Sequence, residues 1–215
     1  MQNSRARLYI DGYNFYYAIR RTFGREGVYL GWCDFERLAR RHLLPANCEL
    51  IEIKYFTAPV GSRGYRPLKP NELPEQEKQR LWFRAVDTIP KLKRINGYYA
   101  QDEKKGRVEK QTDVNIAVEM VRDAALRDDY DHALLITADL DLRPAALAVA
   151  NWENPRINVT VWFPPESHSP RWQEGNPDRL QCKEIKREML EDSRLREDFS
   201  APDGPVHCID EWRQH

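Results

Sequence analysis

The chain has 215 residues, and its 34 lysines and arginines are balanced by 34 aspartates and glutamates, so its formal net charge is zero. This length suits one domain with a full hydrophobic core, and the neutral balance excludes a basic field over the whole molecule. The four cysteines form no C-x-x-C pair, which argues against a zinc knuckle and a dense disulfide framework. No run reaches the roughly 18 apolar residues of a membrane span, and no signal-type apolar region precedes the first predicted strand. We therefore expect a cytoplasmic protein with reduced thiols and no membrane partner.

Predicted strands and helices alternate along the chain. Apolar, β-branched or aromatic runs predict five strands, at about residues 6–11, 49–58, 94–99, 132–138 and 156–163. Helical patterns lie between these strands, at residues 12–23, 34–43, 74–92, 112–127 and 141–152. Such alternation implies right-handed crossovers and a parallel sheet. The sequence thus predicts an α/β fold with a central, mainly parallel, five-stranded sheet.

The connecting and C-terminal segments are rich in proline or charge. Residues 59–74 and 164–177 are Pro-rich and follow the second and fifth predicted strands, so we expect two loops at the carboxyl edge of the sheet. Residues 178–198 are strongly charged and predicted to be helical, and the remainder has the composition of a loosely held tail. The sequence predicts a single domain over residues 1–198 and a C-terminal tail over residues 199–215.

Four aspartates lie where predicted strands end or helices begin. Asp11 follows the first strand, Asp113 opens a helix, and Asp139 and Asp141 follow the fourth strand. Because the last two are two residues apart, their side chains are expected to lean the same way in an extended segment. Taken singly, these acids are explained as loop residues or, for Asp113, as a helix cap. Taken together they place like charges at one sheet edge, a cost that a hard cation can offset, and they indicate a divalent-metal site for phosphodiester chemistry.

With these residues the chain resembles the NYN domain family, in the bacterial LabA-type branch of the PIN-like nucleases. The family's motifs are matched in order by Asp11-Gly12-Tyr13-Asn14, Lys54-Tyr55-Phe56-Thr57-Ala58-Pro59, Lys110-x-x-Asp113-Val114, Thr137-Ala138-Asp139-Leu140-Asp141 and Phe163-Pro164-Pro165. The resemblance covers residues 6–190, and the order and spacing of its motifs make it more specific than any one of them.

The chain departs from the family at one motif. The family usually has Ser-Gly-Asp-Ser-Asp where this chain has Thr137-Ala138-Asp139-Leu140-Asp141. Both acids and the leading hydroxyl are retained, but Leu140 replaces the second small hydroxyl, so an altered loop or reduced activity is one expectation. Residues 101–109 contain no cysteine, which removes the zinc ribbon that some relatives carry before their second acidic motif.

The resemblance implies a Rossmann-like, PIN-type three-layer fold and an endoribonuclease that cuts RNA by metal-activated water, with Mg²⁺ or Mn²⁺ as cofactor. Carboxylates suit such ions, and two ions about 3.5 to 4 Å apart can assist hydrolysis without a protein nucleophile. The implied metal ligands and catalytic residues are Asp11, Asp113, Asp139 and Asp141. Lys110 could hold the scissile phosphate or simply be solvated. Asn14 could position a water or phosphate, or cap a helix.

Basic residues flank the predicted acidic edge in sequence order and are the best candidates for an RNA-backbone track. They are Arg63, Arg66 and Lys69 in the loop after the second strand, and Lys104, Lys105 and Arg107 before the second acidic motif. Tyr65 lies among them and could stack on a base. Tyr13, Tyr16 and Tyr17 share a helical stripe and are predicted to pack mainly against the sheet.

Three functions stay open at this point. The leading hypothesis is the metal-dependent ribonuclease, which the four intact acids favour. The first alternative is a catalytically weakened PIN-like module that binds RNA or protein, which the neutral charge and Leu140 favour. The second is a receiver-like or small-molecule α/β enzyme, because acids at strand ends bind Mg²⁺ there too. The sequence leaves the oligomeric state open, a homo-oligomer included.

Overall fold

The structure is a computed structural model that describes residues 4–60, 73–102, 106–126, 129–153, 156–201, 203–209 and 212–213, without the side chains of residues 99–102, 106–110 and 199. Part of the predicted RNA track therefore lies outside the described residues, namely Arg63, Tyr65, Arg66, Lys69, Lys104 and Lys105. For Lys110 and Arg107 only the backbone is described.

Strands and helices alternate through most of the described residues. The strands are β1 (Ser4–Asp11), β2 (Cys48–Thr57), β3 (Leu92–Asn96), β4 (Tyr98–Asp102), β5 (Gly106–Lys110), β6 (His132–Ile136), β7 (Asn158–Phe163), β8 (Leu180–Glu184), β9 (Asp198–Ala201) and β10 (Gly204–His207). The helices are α1 (Gly12–Phe23), α2 (Glu26–Leu30), α3 (Phe35–Leu38), α4 (Glu75–Val86), α5 (Thr112–Leu126), α6 (Arg143–Ala150) and α7 (Arg187–Asp192). A π-helical turn (Ala39–Leu43) continues α3, and 3₁₀ turns span Leu140–Leu142 and Pro170–Gln173.

A parallel sheet forms the centre of the molecule. Its strand order is β3-β2-β1-β6-β7-β8, and every pairing within it is parallel. The predicted mainly parallel α/β fold is confirmed, but the predicted number of five strands is wrong because β8 adds a sixth at the edge. Only the first residue of β8, Leu180, is buried, and polar or charged side chains fill most of its other positions. That composition concealed the strand within a segment that was predicted to be helical.

Alternate residues of the sheet face two separate cores, as a two-sided sheet requires. Leu8 and Ile10 of β1 point to the core that also contains Phe15 of α1, while Tyr9 points to the core that contains Met120 of α5 and Val149 of α6. Helices therefore cover both faces of the sheet, which gives the three layers that the family resemblance implies.

The stripe of three tyrosines on α1 does not pack against the sheet as predicted. Phe15, Ala18 and Ile19 form the buried face of this helix, at the i, i+3, i+4 spacing of one helical stripe. Tyr16 and Tyr17 lie on the neighbouring face, where they are 41% and 55% exposed. The prediction fails because the two stripes overlap in sequence and both carry large apolar or aromatic side chains, so periodicity alone did not decide which one faces the core.

Two antiparallel pairs of strands lie outside the parallel sheet. β4 pairs with β5, and β9 pairs with β10 in the segment where a loosely held tail was expected. Beyond β10, Cys208 and Trp212 pack in a small cluster with the buried Trp32. In the part of the chain that the structure describes, no helix has the length and apolar character that a membrane span needs.

Candidate active site

The strand order reverses between β1 and β6. From β1 the chain builds outward through β2 and β3, and it then returns to the other side of β1 with β6, β7 and β8. The carboxyl ends of the two strands at such a reversal leave a crevice in which ligands bind in open α/β sheets. Asp11 ends β1, and Asp139 follows β6 by three residues, so the fold brings the first and third acidic motifs to this crevice.

Asp11 is buried and held by neutral donors. Its side chain is the N-cap of α1, and Oδ1 accepts a hydrogen bond of 3.0 Å from the backbone N–H of Asn14. Its other oxygen accepts a hydrogen bond of 2.9 Å from the hydroxyl of Thr137. The residue is only 3% exposed, and no ion pair involves it within the residues that the structure describes. A carboxylate in this position lacks the cation that usually accompanies a buried charge.

Burial raises the pKa of the Asp11 carboxyl to about 7. The hydrogen bonds from Asn14 and Thr137 act in the opposite direction, and the negative charges of Asp113 and Asp139 raise the pKa further. Each of those two charges disfavours a further negative charge on Asp11. Near neutral pH the site therefore holds a carboxylate that ionises reluctantly and that a cation would stabilise.

Gly12 is required by the close approach of β2 to the start of α1. A side chain at this position would place its Cβ 2.6 Å from the carbonyl oxygen of Phe56 and 2.6 Å from the ring of Tyr55. Such distances are far below van der Waals contact, and Phe56 is also the register partner of Asp11. The Asp-Gly pair of the first motif is thus a packing requirement that sets the position of the Asp11 carboxylate.

Two side chains join the loop after β6 to the end of β1. The hydroxyl of Thr137 donates to Asp11 and accepts a hydrogen bond of 3.1 Å from the backbone N–H of Asp139. The amide oxygen of Asn14 accepts a hydrogen bond of 2.8 Å from the backbone N–H of Ala138. Asn14 therefore positions this loop, in addition to its backbone contact with Asp11. Thr137 was not among the predicted site residues, although its place at the head of the third motif was a signal for it.

The other three predicted ligands differ in burial and in local backbone structure. Asp139 is half-buried, and its Oδ1 accepts a hydrogen bond of 3.0 Å from the backbone N–H of Asp141. The predicted extended segment ends at Asp139, because a 3₁₀ turn begins at Leu140 and leaves Asp141 exposed. Asp113 is half-buried in the first turn of α5.

All four predicted metal ligands are described, and the hydrogen bonds of Thr137 join Asp11 to the backbone of Asp139 at the crevice. Among the described residues, however, no three histidine, cysteine, aspartate or glutamate side chains stand close enough together to hold a metal ion without moving. The shared metal site stays a prediction. The donor set fits a hard divalent cation in its chemistry, because it consists of carboxylate oxygens around a buried acid that has no cationic partner in the described structure.

A second group of charges lies on the same face of the sheet, under α5, and sequence reasoning missed it. Lys54 of β2 forms ion pairs with Asp123 and, at 2.7 Å, with Glu119. Tyr9 donates a hydrogen bond of 2.8 Å to Asp123, and Arg7 forms ion pairs with Glu52 and Asp129. Lys54, Asp123 and Arg7 are all at least 97% buried. The signal in the sequence was a lysine among the apolar residues Ile53, Tyr55 and Phe56 of β2.

Comparison with known proteins identifies the family and the fold. The NYN domain model matches residues 5–172. The chain is 29% identical over 227 aligned positions to 6-hydroxy-3-succinoylpyridine 3-monooxygenase HspA of Pseudomonas putida (strain DSM 28022 / S16), an alignment that covers 89% of this chain and 68% of that protein.

A solved structure shares the architecture. The crystal structure of VPA0982, a protein of unknown function from Vibrio parahaemolyticus RIMD 2210633, superposes with a TM-score of 0.61 at 17% identity. The superposition covers 91% of this chain and 100% of the other. The family model spans the motifs that carry Asp11, Asp113, Asp139 and Asp141, and the chain therefore belongs to the NYN domain family of PIN-like nucleases.

Proposed function

We propose that the protein is a divalent-metal-dependent endoribonuclease that hydrolyses RNA phosphodiester bonds at the β1–β6 crevice. The observation that carries the proposal is Asp11, a buried carboxylate at the crevice that has only neutral hydrogen-bond donors around it and whose pKa is raised by burial and by the charges of Asp113 and Asp139. An acid in such a place costs stability, and a bound cation would remove that cost.

The residues of the candidate site have distinct roles in this proposal. Asp11, Asp113, Asp139 and Asp141 would hold Mg²⁺ or Mn²⁺, and Thr137 and Asn14 would fix the loop that carries two of these acids. When bound, such cations neutralise phosphate charge and favour ionisation of water. Lys110 ends β5, two residues before the start of α5, and in this proposal it would supply a cation to the phosphate that is cleaved.

The rival is the catalytically weakened module that binds RNA or protein. Two observations favour it: Asp141 is exposed, and no three acids converge in the described residues. A substitution of Leu140 distinguishes the active nuclease from the weakened module, because Leu140→Ser restores the small hydroxyl that the family usually has. If the chain is a weakened nuclease, Leu140→Ser raises its cleavage rate; if it is fully active, the rate changes little.

A second candidate function is chemistry on a small heteroaromatic acid. The name of the HspA relative describes an enzyme that acts on a substituted pyridine, and an aromatic pocket of about 350 Å³ opens beside Gly12 in this chain. Turnover of 6-hydroxy-3-succinoylpyridine by the purified protein, followed by chromatography, tests this candidate directly.

The deciding experiment is a cleavage assay on tRNA, mRNA and single-stranded DNA, each with Mg²⁺, Mn²⁺ or EDTA. We expect cleavage of RNA with either metal and none with EDTA. Asp139→Asn should reduce the rate by more than the roughly 10- to 100-fold that loss of an outer-sphere partner of a metal site costs. Its matched control is Asp178→Asn, which removes an exposed acid near the start of β8, at the opposite edge of the sheet.

The outcomes are distinct. Metal-dependent RNA cleavage by wild type and Asp178→Asn, but not by Asp139→Asn, supports the nuclease. Cleavage that survives Asp139→Asn, or that persists in EDTA, contradicts the assigned role of the acids. Folding is checked by circular dichroism, because an unfolded Asp139→Asn protein would indicate a structural acid instead.

A further inference from the structure

An aromatic pocket lies next to the candidate active site, between α1 and α4. Its volume is about 350 Å³, and Gly12 and Thr57 are among the residues that line it. Gly12 directly follows Asp11, and Thr57 is the last residue of β2, the strand beside β1. The pocket therefore opens at the same carboxyl edge as the acids, one residue along the chain from Asp11.

Fixed rings form the inner wall of the pocket. The indole N–H of Trp82 donates a hydrogen bond of 3.1 Å to the hydroxyl of the buried Tyr55. Trp32 is also buried, with its ring centroid 5.6 Å from that of Trp82. Tyr13 donates a hydrogen bond of 2.6 Å to the carbonyl oxygen of Ala58, which holds its ring at the mouth. These contacts give the wall a defined shape before any ligand enters.

Exposed rings stand at the mouth. Tyr17 is 55% exposed and lies nearly parallel to Tyr13, with ring centroids 6.0 Å apart and planes 17° apart. Tyr16 is 41% exposed. Large aromatic side chains that remain this open beside a preformed pocket form the kind of platform on which nucleobases stack.

The charges at the pocket suit a ring that carries an anionic group. Arg20 and Lys78 contribute two cations to its lining, and Glu75 contributes one anion. The guanidinium of Arg20 lies 5.7 Å from the ring centre of Tyr16 and donates a hydrogen bond of 3.1 Å to its hydroxyl. A ligand that stacks at Tyr16 or Tyr17 would therefore bring its phosphate close to a positioned guanidinium.

We propose that this pocket binds one unpaired nucleobase of the RNA, adjacent to the phosphate that is cleaved. The proposal rests on the ribonuclease function and adds the class of substrate. A cavity of about 350 Å³ is at the lower end of the range for ligand pockets, which is enough space for a nucleobase. Bases of an RNA duplex are not available for such insertion, and the enzyme therefore cuts single-stranded RNA or unpaired loops.

The test measures binding without cleavage, so that it can fail or succeed independently of the nuclease function. The probe is a single-stranded hexauridylate with one 2-aminopurine, added in EDTA to the full-length wild-type protein. Stacking on an aromatic ring quenches 2-aminopurine, and we expect quenching with this probe but no further quenching when 2-aminopurine is paired within the stem of a stable RNA hairpin. Base–aromatic stacking of about 1 to 3 kcal/mol predicts that Tyr17→Ala weakens binding roughly 5- to 100-fold.

Two control variants make the result specific. Tyr17→Phe keeps the ring and should keep the affinity within about twofold, whereas a hydrogen-bonding role for the hydroxyl would make it resemble Tyr17→Ala. Tyr98→Ala removes a tyrosine of β4 that is 50% exposed and does not line the pocket, and it should leave affinity unchanged.

Three results would overturn the proposal. The first is that the protein binds or cleaves RNA while 2-aminopurine is quenched equally by the wild type and by Tyr17→Ala. The second is equal binding of the paired and single-stranded probes. The third is quenching of the pocket tryptophans by 6-hydroxynicotinate with no response to the oligonucleotide, which would assign the pocket to a small heteroaromatic acid. Quenching that Tyr17→Ala relieves supports the proposal even if cleavage is never found.

Discussion

Two groups of buried charge on one face of the sheet differ in how their negative charges are balanced. Arg7, Tyr9 and Asp11 are alternate residues of β1, so they share that face. In the lower group, beside the start and middle of β1, Asp123 is paired with Lys54 and accepts a hydrogen bond from Tyr9. In the upper group, at the end of β1, Asp11 accepts hydrogen bonds from neutral donors only. The fold thus supplies a cation to Asp123, and supplies none to Asp11 within the described residues.

The pKa values follow this difference. Burial by itself would raise the pKa of Glu119, but hydrogen bonds from Lys54 and Arg122 outweigh it and hold the pKa below its ordinary value. Burial raises the pKa of Asp11 to about 7, and no described cation opposes it. A partner 65 residues away in the chain, Lys54, therefore makes Glu119 a stable anion, whereas Asp11 near neutral pH is poised between its two protonation states.

The largest effect is expected from removing the cation of the lower group. Lys54→Met removes the shorter of two ion pairs of the buried Asp123 and leaves Arg7 at 4.0 Å, and loss of one partner of a buried pair costs about 3 to 5 kcal/mol. Urea denaturation measures the change in the free energy of unfolding. The control is Lys93→Met, at the register partner of Lys54 on β3, where the side chain is exposed and the cost should stay within about 0.5 kcal/mol. The double variant Lys54→Met/Asp123→Asn should recover much of the loss, and equal costs for both lysines would refute the contrast between the two groups.

Removing the charge of Asp11 at the crevice should instead raise the free energy of unfolding. With metal chelated, Asp11→Asn should stabilise the protein above pH 7, because the ionised acid is disfavoured in the fold. The pKa rises from 3.8 in the unfolded chain to about 7 in the fold, so the advantage of the variant is absent below about pH 4, grows between the two pKa values and is constant above the higher one. The shift sets an upper limit of about 4 kcal/mol, and we expect about 1 to 3 kcal/mol after local relaxation.

Thermal unfolding at several pH values checks this prediction. Asp178→Asn, the exposed-acid control, should show no comparable dependence on pH. A destabilised Asp11→Asn protein at pH 8 would mean that the hydrogen bonds from Asn14 and Thr137 outweigh the cost of the charge, and the acid would then be structural.

A divalent cation should replace the missing partner at the upper group only. At a concentration ten times its Kd, an ion that binds the folded state adds about 1.4 kcal/mol. We expect Mg²⁺ or Mn²⁺ to raise the melting temperature of the wild type, and to raise that of Asp11→Asn and Asp139→Asn much less. Calorimetry at constant ionic strength, with Na⁺ as the control, separates binding from screening. An equal shift in all three proteins would locate the ion elsewhere.

The smallest effect per side chain is expected from the basic residues outside the described structure. An acidic crevice in a neutral protein can hold RNA only if nearby loops carry the cations, and the sequence offers Arg63, Arg66 and Lys69. Each lost contact with a single strand should reduce the salt slope of binding by roughly 0.7. Neutralising all three therefore flattens the slope by about 2, while cleavage at saturating RNA changes little. Unchanged affinity and slope would place the RNA track on other residues.

The sequence by itself determined the alternation of strands and helices and the positions of the four acids within it. Both are local properties: a buried strand is an apolar run, and the acids follow such runs or open a helix. The same information predicted that Asp11 and the loop after β6 meet, because the carboxyl ends of parallel strands share one edge. The match to the NYN family rests on these local motifs, which is why it was available before the fold was known.

Only the tertiary structure decided which buried charges have an ion-pair partner and which aromatic rings are exposed. Lys54 and Asp123 are 69 residues apart in the chain. The residues next to Asp123 in the sequence do not distinguish this paired acid from Asp11, which has no ion pair in the described structure. Periodicity placed Tyr16 and Tyr17 on a helical stripe, but the packing of Phe15 and Ile19 turned that stripe away from the sheet and toward a pocket. The sixth strand was likewise hidden, because an edge strand has one neighbour and can carry charge along its length. Pairing across long stretches of chain determines each of these features, and the local pattern of residues does not encode it.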